Sequence, residues 1–238
     1  MKKKIYFKSR GVDICGILNV PKNRKLRDFC IVFCHGWDTS KDKSSKVRNL
    51  TGRLAESCVN SFAFDFFGHG ESGGSRPDIT QTIAVENVND AINMLRKKGF
   101  RRFAIVGSSF GGGTAIAYAS KFNGLEFLVL FSPLTKYGTA NLRKYFKKQG
   151  VKIGFVLDAK KYDFFKLAGR IRTPTVIIQG SKDFTTPLAG ARKVFRLINA
   201  EKMMVIIKGA DHHYSKEKHR KDALNAAFNY ILYNLPKH

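Results

Sequence analysis

Six short apolar runs punctuate the chain, at residues 29–34, 62–67, 103–106, 125–131, 175–178 and 203–207, each ending at or near a glycine or proline. Runs without a polar face suit strands covered on both sides, which is the setting of a parallel sheet under helices. Between the runs the period lengthens. Ile83, Val88, Ala91, Ile92 and Leu95 recur at helical spacing over residues 82–98, and Gly99 follows as a stop. Residues 110–122, 188–199 and 217–235 also predict helices, the last closing near Pro236. Strand–helix alternation predicts an α/β architecture with a mostly parallel central sheet and right-handed crossovers. Residues 4–9 and 12–20 predict an antiparallel hairpin at the sheet edge, turning near Gly11.

The alternation lapses between Phe131 and Thr175. The intervening segment is rich in aromatic and basic residues, among them Tyr137, Arg143, Lys144, Tyr145, Phe146, Lys147, Lys148, Lys152, Phe155, Tyr162, Phe164 and Phe165. A strandless stretch of this length inside a compact domain is usually functional. It is read as a short helical cap insertion at about residues 134–172, within a single domain spanning 1–238.

Charge changes the picture next. Forty-three Lys and Arg against 18 Asp and Glu give a formal net charge of +25. Such a field attracts nucleic acid, anionic lipid surfaces or acidic substrates. The basic residues are spread along the chain without a recognisable nucleic-acid-binding motif, which favours general solvation over a specific nucleic-acid partner. Cys15, Cys30, Cys34 and Cys58 form neither a Cys-x-x-Cys pair nor a zinc spacing. No signal-peptide core follows Met1-Lys2-Lys3-Lys4, and no transmembrane segment is expected because no apolar stretch nears about 20 residues. The expectation is a cytoplasmic protein with no metal and no organic cofactor.

The chemistry concentrates at run ends. Gly107-Ser108-Ser109-Phe110-Gly111 fits Gly-x-Ser-x-Gly in one register, between an apolar run and a small-residue helix. That context puts Ser109 on a sharp strand-to-helix turn with its oxygen exposed. A serine nucleophile needs a base, and the base an orienting acid. His212 and its neighbour His213 follow the last run, and spacing from the strand end favours His212. Asp183 follows the preceding run; Asp211 is a rival acid, with Asp158 and Asp163 weaker alternatives. The backbone N–H groups of Phe110 and of Trp37, in His35-Gly36-Trp37, are the candidate donors to an oxyanion.

Cys34-His35-Gly36-Trp37, Phe64-Asp65-Phe66-Phe67-Gly68-His69-Gly70-Glu71-Ser72, Gly107-Ser108-Ser109-Phe110-Gly111-Gly112, Gly180-Ser181-Lys182-Asp183 and Gly209-Ala210-Asp211-His212 together resemble the α/β-hydrolase superfamily. The likeness covers about residues 10–235 and is similar to small cytosolic esterases of the cinnamoyl and feruloyl type, with relatives among acylaminoacyl-peptidase-like domains. It implies the α/β-hydrolase fold, with Ser109 as nucleophile, His212 as base and Asp183 as acid. It implies an oxyanion hole at Trp37 and Phe110, and structural roles for Asp65 and His69. Trp37 departs from the more usual Phe or Gly. The implied activity is hydrolysis of small carboxylic esters through an acyl-enzyme. Amide or peptide hydrolysis and acyl transfer remain alternatives on the same residues, as does a non-catalytic basic module for polyanions. The cap residues Arg143, Lys144, Lys147, Lys148 and Lys152 raise the expectation of an anionic ester, against that of a solvated helix face.

Overall fold

In chain order the strands are β1 (Lys2–Ser9), β2 (Val12–Asn19), β3 (Phe29–Cys34), β4 (Ser61–Phe64), β5 (Arg102–Ser108), β6 (Leu125–Phe131), β7 (Thr175–Gly180) and β8 (Lys202–Ile207). The computed structural model describes residues 1–24, 26–137 and 150–237. The strands join one sheet in the order β1-β2-β4-β3-β5-β6-β7-β8. β1 and β2 pair antiparallel from Lys2↔Asn19 to Ser9↔Val12, turning at Arg10 and Gly11, both at positive φ. Two residues at positive φ match the turn to the twist of the strands, and the second is a glycine. β2 is antiparallel to β4, and every later pairing is parallel.

All residues of β3, β4 and β7 are buried, as strands covered on both faces should be. Their alternate side chains feed two cores. Cys30, Val32 and Cys34 pack toward α2 (Gln81–Lys97), α3 (Phe110–Lys121), α5 (Phe164–Ala168) and α6 (Leu188–Leu197). Phe29, Ile31 and Phe33 pack toward α1 (Ser45–Glu56) and α7 (Glu217–Tyr233). The short helix α4 (Ile153–Ala159) contributes Phe155 and Ala159 to the first core.

Three expectations shift. The run at 62–67 is a strand only to Phe64, because buried Asp65 turns the chain out of the sheet to meet Lys41 and Glu71. β8 is an edge strand rather than a covered central one: among the described residues it pairs only with β7, and it leaves Met203 and Ile206 exposed. α1 was not anticipated, although Val47, Leu50 and Leu54 form its buried stripe and Ser44 caps it by accepting from Val47 N–H. Of the expected cap, Arg143, Lys144, Lys147 and Lys148 lie outside the described residues, while Lys152 pairs with Asp78 at 2.6 Å. Among the described residues no helix is long and apolar enough to cross a membrane.

Candidate active site

β5 ends at Ser108 and α3 begins at Phe110, leaving Ser109 alone at the junction with φ 53° and ψ −115°. A non-glycine residue held there is strained and persists only when its surroundings clamp it. Here Ser109 N–H donates to Phe131 C=O at 2.9 Å, and Ser109 C=O accepts from Gly113 and Leu134 N–H at 3.0 and 2.9 Å. The flanking glycines answer a packing need. A Cβ on Gly111 would strike the Cys34 and His35 carbonyls, and one on Gly107 would meet Gly111 C=O at 2.5 Å. Only bare backbone lets helix and strand cross this closely.

The clamp points the Ser109 hydroxyl at His212, whose Nε2 lies 2.9 Å from Oγ. His212 Nδ1 lies 2.8 Å from Asp183 Oδ2. Asp183 is buried and also accepts from Thr185 and Thr186 N–H, the Thr186 hydroxyl and the Gln179 amide, at 2.8 to 3.0 Å. Burial alone would raise its pKa, but the hydrogen bonds from His212 and Thr186 outweigh it and hold the carboxyl below its ordinary value. An ionised Asp183 places the ring proton on Nδ1 and leaves Nε2 to accept from Ser109. Such a chain can take the hydroxyl proton as the oxygen attacks an electrophilic carbon. Sequence reasoning missed Thr186 and Gln179; the polar Thr185-Thr186 pair straight after Asp183-Phe184 was the available signal.

The rival residues are not members of the Ser109–His212–Asp183 chain. His213 is exposed on the cavity wall. Asp211 is exposed and accepts from Ser215 N–H. Asp158 holds Thr82 and Lys161, and Asp163 caps α5 through Phe165 and Lys166 N–H. His69 faces the carbonyls of Phe67 and Trp37 at 3.0 and 2.9 Å. Asp65 lies under Lys41, whose ammonium is 2.8 Å from each of Asp42, Asp65 and Glu71. Those three carboxylates are close enough to share a metal ion, but the lysine already neutralises their centre.

Trp37 and Phe110 border the same cavity as Ser109 and His212, which has a volume of about 650 Å³. Phe110 opens α3, so its N–H has no acceptor one turn back within the helix. A Cβ on Gly36 would lie 3.6 Å from Ser109 Cβ, which brings the Gly36–Trp37 peptide against the serine. His35 fixes that peptide: its Nδ1–H donates to Gly36 C=O at 2.7 Å while its Nε2 accepts from Phe66 N–H at 3.0 Å. The two bonds require the neutral ring, and burial, seconded by His69, holds the His35 pKa well below the ordinary value. The Trp37 ring is 5% exposed and packs edge-on against Phe110, Phe155 and His69.

A family model described as serine aminopeptidase, S33, matches residues 27–162. The uncharacterised protein YfhR of Salmonella typhi is 26% identical over 179 residues, which span 68% of this chain and 58% of YfhR. The match therefore covers less than two thirds of that relative. The putative alpha/beta hydrolase L404 of Acanthamoeba polyphaga mimivirus is 25% identical over 194 residues, spanning 80% of this chain and 69% of L404. The solved structure of Est1E from Butyrivibrio proteoclasticus with ferulic acid bound superposes with a TM-score of 0.82 at 18% identity, covering 98% of this chain and 100% of that one.

Proposed function

The chain belongs to the serine aminopeptidase S33 family and has the α/β-hydrolase fold, and from that premise we propose that it is a serine hydrolase of small carboxylic esters. The observation that carries the reading is the unbroken hydrogen-bonded chain from Ser109 through His212 to Asp183. In this reading Ser109 Oγ attacks the ester carbonyl while His212 Nε2 takes its proton, and Asp183 keeps Nδ1 protonated and stabilises the imidazolium. The carbonyl oxygen becomes negative between the Trp37 and Phe110 N–H groups, beside the positive end of α3. His212 then protonates the departing alcohol. Water, activated by the same histidine, attacks the acyl-Ser109 carbonyl, and Ser109 recovers its proton as the acid leaves. The segment at about 134–172 serves as a cap on a single domain, and the enzyme works in the cytoplasm.

A second reading, cleavage of an N-terminal peptide bond, takes its support from the family description. An aminopeptidase must receive a free α-ammonium. Among the described residues, the ionisable groups lining the cavity are Lys43, Lys46, Asp38 and the two histidines, and Asp38 is already bound to Arg76. Lysines at the wall repel a substrate cation, so the ester reading is preferred.

The test is hydrolysis of p-nitrophenyl acetate, butyrate and octanoate, with alanine p-nitroanilide alongside, by wild type and Ser109→Ala. The expected result is ester turnover that disappears in the variant, falling by at least about 10⁴-fold, with the anilide untouched. Turnover that survives Ser109→Ala would remove the serine from its role.

A further inference from the structure

One wall of the catalytic cavity is the start of α1, through Lys43, Ser44, Ser45 and Lys46. Lys46 is partly withdrawn from water, and among the described residues no carboxylate comes within ion-pair distance of its ammonium. Its close neighbour is the face of Tyr214, whose centroid lies 5.2 Å from Nζ. Lys41, the other lysine withdrawn from water in this region, has three carboxylates at 2.8 Å. The acidic groups facing Lys46 are Asp183 and Asp211. Asp183 is engaged by His212, Thr185, Thr186 and Gln179, and Asp211 accepts from Ser215. Burial therefore prevails over their attraction and brings the Lys46 pKa down to about 8. Two further features give the wall the same sign. The first turn of α1 holds no acidic residue to offset its positive end, and Lys43 lines the cavity from the same stretch.

A cation drawn out of water without a counter-ion is costly, and an anion entering the cavity would relieve that cost. We propose that Lys46 recognises an ionised carboxylate on the substrate, so that the enzyme's esters are half-esters or hydroxyacid esters with a second, free acid group. The inference rests on the hydrolase reading above and names the substrate class of that site. It differs from a general attraction of anions to a basic protein, because it assigns the preference to one side chain at the cavity wall.

The experiment uses two matched pairs. Mono-4-nitrophenyl adipate and its methyl ester place the acid on the acyl side. 4-Acetoxybenzoate and its methyl ester place it on the alcohol side. The readout is the ratio of kcat/KM for the anionic and neutral member of each pair, in wild type, Lys46→Met, Lys46→Arg and Lys97→Met. Lys97 is exposed at the end of α2 and controls for loss of one positive charge. The expected result is a wild-type preference for the anion in at least one pair. That preference should fall about tenfold in Lys46→Met, mainly through KM, and persist in Lys46→Arg and Lys97→Met. A wild-type ratio near one, a ratio unchanged by Lys46→Met, or an equal fall in Lys97→Met overturns the proposal while leaving the hydrolase reading in place. Failure of wild type to turn over either member of both pairs overturns the two together.

Discussion

His35 links a protonation state to the shape of the site. Its two hydrogen bonds need a neutral ring, with Nδ1 donating to Gly36 and Nε2 accepting from Phe66. Burial first, and then the neighbouring His69, hold its pKa below the ordinary 6.5. Below about pH 6.5 the unfolded chain therefore binds a proton that the folded chain refuses, and stability falls as pH falls. The contribution is fully present above the unfolded pKa and is lost on acidification toward the folded one. The thermal midpoint of wild type should drop more steeply than that of His35→Gln between about pH 7.5 and pH 5. His69 and His213, also held low, are common to both proteins and cancel in the comparison. Equal slopes would show that His35 is not kept neutral by the fold.

At the scale of elements, the loops leaving β3 and β4 are tied by one lysine. Lys41 follows β3, and Asp65 and Glu71 follow β4, with the Lys41 side chain 1% and Asp65 0% exposed. The tie keeps the loop that carries Gly36 and Trp37 in register with the loop that carries Phe66 and His69. Removing the cation leaves Asp65 buried without its counter-ion. Lys41→Met should therefore cost about 3 kcal/mol in chemical denaturation, and adding Asp65→Asn should recover part of it. A loss below about 1 kcal/mol would mean that Lys41 acts as an exposed ion pair does.

For the whole molecule the dominant feature is the net charge of +25. A spread positive field binds polyanions without reading them, and such binding works by releasing counter-ions. Duplex DNA of arbitrary sequence should bind at low salt and lose affinity by about 10³-fold or more between about 50 and 200 mM salt. A fluorescence-anisotropy titration checks this. Affinity that persists at the higher salt would demand a dedicated polyanion site and revive the binding-module reading. The same field makes the Lys97→Met control essential to the Lys46 experiment.

The features legible in the sequence were those written by local physics. Residues 29–34 read as a covered strand because all six are apolar, and all six are buried. Residues 82–98 read as a helix because the apolar stripe has one period and a glycine ends it, and α2 runs Gln81–Lys97. Gly11 and Gly107-x-Ser109-x-Gly111 announced a tight turn and a close crossing, because backbone sterics demand glycine there. Other features were decided elsewhere. α1 escaped notice because its stripe of Val47, Leu50 and Leu54 is thin among polar and basic residues, and burial against the sheet makes it a helix. β8 looked like a central strand because its run is apolar, yet nothing local places it at the end of the sheet order, beside β7 alone among the described strands. His212 and His213 are sequence neighbours, so pattern ranked them only by spacing from the strand end, and Asp211 ranked below Asp183 because side chains adjacent in an extended segment point apart. Which imidazole meets Ser109 is a contact across 103 residues, and the sheet order brings the ends of β5, β7 and β8 together. Lys46 reaches Tyr214 and the catalytic cavity in the same way, from a distant segment at the same end of the sheet, whereas Thr186 and Gln179 bind Asp183 from within four residues of it.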